Sequence, residues 1–84
     1  MTAEPDRIDA CLRMGRSLYA EEAAFVVTVT SDGRYYVSID LDGDEECSVE
    51  GERLDATVYA LECKLREKCR AAAESAGLSV REEA

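Results

Sequence analysis

Eighty-four residues suffice to close one hydrophobic core, so two domains are excluded, and 46% hydrophobic with 35% charged residues describes a folding rather than a disordered chain. Ten Lys+Arg against 19 Asp+Glu give a formal charge of −9, which repels phosphate backbones and anionic membrane surfaces and argues against direct nucleic-acid binding. The absence of histidine and tryptophan removes the commonest general base and metal ligand and the strongest stacking platform, so a non-enzymatic protein without cofactor or metal is expected.

With Ile8 at zero and 100° per residue, Ile8, Cys11, Leu12, Gly15, Leu18 and Tyr19 share one side of a helix, opposite Asp6, Asp9, Arg13, Arg16 and Ser17. Pro5 suits its first turn, where its missing N–H leaves no bond unmade, and Asp6 and Asp9 complement the positive helix end. The pattern predicts a helix from about residue 5 to about residue 20. Gly15 falls on its buried face, where a missing side chain lets the helix approach a sheet at a propensity cost of about 1 kcal/mol.

From Ala24 to Glu50 the period becomes two, with two Asp-Gly turn signals, which predicts three strands. Phe25/Val27/Val29, Tyr35/Val37/Ile39 and Cys47/Val49 form the dry face. Thr28, Thr30, Tyr36, Ser38, Asp40, Glu46, Ser48 and Glu50 form the wet one. A two-residue Asp32-Gly33 loop would mix the faces. A three-residue Ser31-Asp32-Gly33 loop instead pairs Thr30 with Arg34, Val29 with Tyr35, Val27 with Val37 and Phe25 with Ile39. The same reading of Leu41-Asp42-Gly43 pairs Asp40 with Asp44, Val37 with Cys47 and Tyr35 with Val49.

After Gly51 the helical period returns, with Leu54, Val58, Leu61, Leu65, Cys69, Ala72 and Ala76 within about an 80° stripe. Gly77 followed by Leu78 predicts a Schellman stop, and Ser79 to Ala84 a frayed tail. The expected architecture is a single α+β domain over residues 1–84. It has the order α-β-β-β-α, a three-stranded antiparallel meander, and both helices packed on one sheet face.

No apolar run approaches the roughly 18 residues of a membrane span, and Met1-Thr2-Ala3-Glu4-Pro5-Asp6 lacks the basic and apolar regions of a signal peptide, so a cytoplasmic protein is expected. Cys11, Cys47, Cys63 and Cys69 show no C-x-x-C spacing and are expected to be reduced. On one helix Cys63 and Cys69 stand about 240° apart in azimuth and about 9 Å along the axis, too far to bridge or to share a metal.

Two surfaces stand out. The segment from Ser38 to Glu46 alternates acids before a glycine like a calcium loop, but Ser38 at position one has no carboxylate and Val49 stands where a bidentate glutamate belongs, so no metal is assigned. Asp40, Asp42, Asp44, Glu45, Glu46, Glu50 and Glu52, with Tyr36, then lie on or beside the open sheet face. They form either an ordinary solvated hairpin or a docking surface for a basic, nucleic-acid-handling protein. Residues two apart on a strand are about 6.6 Å apart, near the spacing of phosphates in an extended nucleic acid. On the last helix, Ala56, Tyr59, Ala60 and Cys63 lie about 180° from the buried stripe. They make either an alanine-rich face of high helix propensity or a seam for a homodimer or partner helix, with Lys64 and Arg66 favouring the Cys63 thiolate.

The α-β-β-β-α order resembles the double-stranded RNA-binding domain, with Gly51-Glu52-Arg53-Leu54-Asp55 where that family carries phosphate-binding lysines, so RNA binding is not implied. Phe25 to Leu65 resembles the sheet-and-helix half of HicB-type antitoxins through Gly51-Glu52-Arg53-Leu54-Asp55-Ala56, with Arg53 in place of the usual capping threonine. In size, acidity, short sheet and two helices the chain is also similar to phage-encoded anti-defence proteins, including anti-CRISPRs. That resemblance implies an inhibitor that blocks a basic nucleic-acid-binding surface by charge mimicry. The alternative is an antitoxin-like or homo-oligomeric assembly module using the Tyr59/Ala60 seam.

Overall fold

The computed structural model describes residues 5–75. Helix α1 (Pro5–Leu18) leads into a three-stranded antiparallel sheet, β1 (Ala24–Val29), β2 (Tyr35–Leu41) and β3 (Asp44–Gly51), and helix α2 (Leu54–Ser75) follows. The order is the expected α-β-β-β-α, with β2 in the centre and β1 and β3 at the edges. Both helices lie on the face that carries Val37, Ile39 and Cys47, which are buried with Cys11 of α1 and Val58, Leu61 and Leu65 of α2. The expected helix stop at Gly77, its preceding Ala76 and the tail lie outside the described residues.

Helix α1 ends at Leu18, earlier than the apolar pattern predicts; the Tyr19 N–H still donates to the Gly15 carbonyl at 3.0 Å before a tight turn brings the Ala23 N–H to the Ala20 carbonyl. Gly15 does what its position predicts. A Cβ built there would stand 2.8 Å from Ile39 Cγ2, so only glycine lets α1 lie this close to β2. Gly15→Val should therefore destabilise the domain by about 1–3 kcal/mol, because Ile39 is fully buried and has little room to yield. Gly15→Ala should lose less, since the new methyl recovers about 1 kcal/mol of helix propensity. Urea unfolding compares the two; equal stability of all three proteins would mean that α1 stands further from the sheet.

The first hairpin has the expected register, with Val29 opposite Tyr35, Val27 opposite Val37 and Phe25 opposite Ile39. Its loop is the three-residue turn: Thr30 N–H donates to Arg34 O at 2.8 Å, Gly33 N–H to Thr30 O at 3.0 Å, and Gly33 has φ +82°. The Thr30 hydroxyl also donates to Asp32, whose carboxyl that bond holds below its usual range.

The second hairpin corrects the sequence reading. Leu41 pairs with Asp44 around a two-residue turn, with Asp42 at φ +53° and Gly43 at +83°, the left-handed pair that such a turn requires. Alone this would mix the faces, but Glu46 is an extra residue between the Asp40/Glu45 and Ile39/Cys47 pairs, a β-bulge that restores them. Val37 consequently opposes Val49 rather than Cys47, and Tyr35 opposes Gly51 rather than Val49. Cys47 and Val49 still face the core side.

Two members of the predicted dry face are not dry. Val27 is 42% and Val29 63% exposed, because the helices reach no further along β1 than Phe25. Ala72, on the predicted buried stripe of α2, is also exposed.

Candidate functional site

The β2–β3 hairpin decides how the acidic residues are displayed. The bulged register puts Asp40 opposite Glu45 and Tyr36 opposite Glu50, so these four share the helix-free face with Ser38 and Ser48. Asp42 occupies the turn. Asp44 opposes Leu41 and so turns toward the helix side, and Glu46 is the unpaired bulge residue. Burial chiefly pushes the Tyr19 phenol up, and the negative charge of Glu46 adds to the shift.

Hydrogen bonds order the open face. The Tyr36 hydroxyl donates to Glu45 Oε1 and lies 3.1 Å from Ser48 Oγ, and Ser48 Oγ donates to the same Glu45 oxygen at 2.7 Å. The Ser38 hydroxyl, itself buried, donates to Asp40 Oδ1 at 2.7 Å. The bonds from Tyr36 and Ser48 hold the Glu45 carboxyl below its usual range, and the Glu45 acceptor pushes the Tyr36 phenol up. A depressed carboxyl contributes stability above its ordinary value of about 4.3 and loses that contribution as pH falls through the folded value. Tyr36→Phe should therefore move the Glu45 midpoint up toward the ordinary value, read by NMR titration of its side-chain carboxyl. An unmoved midpoint would mean that the hydroxyl does not hold that carboxylate.

Charge pairing separates two groups of acids. Arg34 lies 3.6 Å from Glu50 and 3.4 Å from Glu52, so this end of the sheet carries its own cation. Asp40, Asp42, Asp44, Glu45 and Glu46 form no ion pair within 4.0 Å among the described residues. The arginines sit elsewhere: Arg13 on Asp9, Arg53 beside Asp55, and Arg7 and Arg66 both on Glu62.

The outer face of α2 is built as its periodicity predicts, with Ala56, Tyr59, Ala60 and Cys63 all exposed. Tyr59 is not bare, since the Arg7 guanidinium stacks 4.7 Å from its ring centroid while donating to Glu62 Oε1 at 2.7 Å. Arg66 donates to the other Glu62 oxygen at 2.7 Å. This Arg7–Glu62–Arg66 clamp joins the two helices and was legible only in part, as the i,i+4 spacing of Glu62 and Arg66. Arg7, Asp55, Ala56 and Tyr59 line a shallow cleft of about 270 Å³ beside it.

The cysteines are free. Burial, and then the charge of Glu62, pushes the Cys11 thiol up to about 11, so at neutral pH it is a protonated core residue. Burial also raises Cys69. Cys63 is the exposed one, as expected. Among the described residues no helix is long and apolar enough to cross a membrane, and no group of three or more His, Cys, Asp or Glu is placed to hold a metal ion. No protein-family model matches the sequence, and comparison with curated proteins and with solved structures finds no match either.

Proposed function

We propose that this chain is a non-catalytic, protein-binding inhibitor that sets its acidic hairpin against a basic nucleic-acid-binding surface, as small anti-defence proteins of the anti-CRISPR type do. One observation carries the reading. In a chain of charge −9, Asp40, Asp42, Asp44, Glu45 and Glu46 gather around one turn with no ion pair within 4.0 Å among the described residues, Lys64 acting on Glu45 from beyond that distance. For folding alone such a cluster is unfavourable; toward a cationic groove it steers encounter and excludes phosphate from the same site.

The test is competition. A basic protein captured by the immobilised chain at about 0.05 M salt should be released near 0.5 M, and an oligonucleotide ligand of that protein should displace it. Capture that resists salt and ignores the oligonucleotide would end this reading. The exposure of Ala56, Tyr59, Ala60 and Cys63 favours a second one, an antitoxin-like or assembly module docking through α2. Capture abolished by Tyr59→Arg but unchanged by salt would support that reading instead.

A further inference from the structure

The two sheet edges are treated differently. Strand β3 carries Asp44, Glu45, Glu46 and Glu50, contains the bulge, and has Lys64 Nζ on its Ser48 carbonyl at 2.8 Å. Charges, a bulge and a covering lysine are the usual means by which an edge is kept from pairing. Strand β1, with the sequence AFVVTV, has none of them among the described residues.

The direction of its free polar groups follows from the hairpin. Thr30 and Arg34 are a hydrogen-bonded pair, since Thr30 N–H donates to Arg34 O at 2.8 Å. Bonded and non-bonded pairs alternate in an antiparallel ladder, so Thr28/Tyr36, Val26/Ser38 and Ala24/Asp40 are bonded. The N–H and C=O groups of Phe25, Val27 and Val29 therefore point away from β2, along the open edge. These residues also carry the side chains that the helices leave unfinished, Val27 at 42% and Val29 at 63% exposure.

We propose that two copies of this chain pair antiparallel through β1, about a two-fold axis at Val27, to make one continuous six-stranded sheet. In that register Val27 meets the partner's Val27, and Phe25 meets the partner's Val29, each pair exchanging both main-chain hydrogen bonds. Every outward N–H and C=O finds a complement, and the exposed valines cover one another on the helix side. Thr28 meets the partner's Val26 on the other face, so β-branched residues oppose each other there too. The uncharged apolar pattern, symmetric about Val27, fits a second copy of itself, and charge decides which edge two copies can share. Each chain carries −9, and β1 is an uncharged edge along which two such chains can approach, whereas a self-paired β3 would oppose carboxylate to carboxylate. The pairing is independent of the acidic hairpin reading, and its salt response has the opposite sign: screening weakens attraction to a basic partner but relieves repulsion between two acidic copies.

Sedimentation of the full chain at about 100 µM is the experiment. Dimers should form and should strengthen from about 0.05 to about 0.5 M salt. Val27→Lys places a charge on the seam and should give a folded monomer. Val27→Pro removes an N–H that points outward, so it should also give a folded monomer, whereas Val26→Pro breaks a ladder bond to β2 and should unfold. A wild-type chain that stays monomeric in high salt overturns the proposal. So does a dimer that survives both Val27 variants, or one that only Tyr59→Arg dissociates.

Discussion

Leu61→Ala should cost about 2–5 kcal/mol, the range for truncating a buried leucine, and lower the melting temperature by roughly 10–30 °C in a domain of this size. Leu61 is fully buried, in a core cluster with Val58 and Leu65 on its own helix and with Val37 and Ile39 on the central strand. Helix α2 is the longest element, at 22 residues, yet its buried side chains run only from Thr57 to Leu65. Its hold on the sheet therefore passes through few residues. Small domains have total stabilities of about 5–15 kcal/mol, so this one truncation removes a large share. Tyr59→Ala, two residues away on the exposed face, should lose only about 0.5–1 kcal/mol, the worth of an exposed cation–π contact with Arg7. Thermal unfolding followed by circular dichroism compares them. A Leu61→Ala loss under about 1 kcal/mol would mean that α2 does not seat on β2 and β3 through this residue.

Legibility varied along the chain for identifiable reasons. The first hairpin register followed from sequence because the Ser31-Asp32-Gly33 loop alone keeps apolar residues opposite one another. The same reasoning misplaced the second by two positions. An Asp-Gly pair serves equally as a two-residue turn or as the end of a three-residue one, and choosing between them required the Glu46 bulge. A bulge leaves no alternation signal when the residues around it, Glu45 and Glu46, are both acidic. The exposed Val27 and Val29 were equally unreadable, since alternation identifies the face a residue is on but not how far a helix extends over it. Glu62 shows the converse: a charged residue next to the buried stripe is itself nearly buried because Arg7, from the other helix, neutralises it. Nothing in local periodicity marks that long-range pairing. The outer face of α2 and the acidic hairpin were legible as surfaces, because both depend on which residues point outward and little on register.

Reversing Asp40, Asp42, Asp44 and Glu45 to lysine should weaken binding to a basic partner by about 100-fold or more at low salt and remove most of its salt dependence. The four reversals move the formal charge of −9 by eight units toward neutrality and put like charges against a cationic surface. Asp42, Asp44 and Glu45 are exposed, so their reversal leaves core packing alone, but Glu45 accepts from Tyr36 and Ser48, and Asp40 is half-buried and accepts from Ser38. Asp40→Asn and Glu45→Gln retain acceptors for these hydroxyls, and a set with the two amides at these positions separates lost charge from lost order. If charge mimicry is the mechanism, the effect should fall mainly on the association rate, since exposed charges guide encounter more than they hold the complex. An effect confined to dissociation would place the hairpin in a tightly packed contact instead. Unchanged rates and unchanged salt response would remove the hairpin from the interface and leave the outer face of α2 as the surface to mutate next.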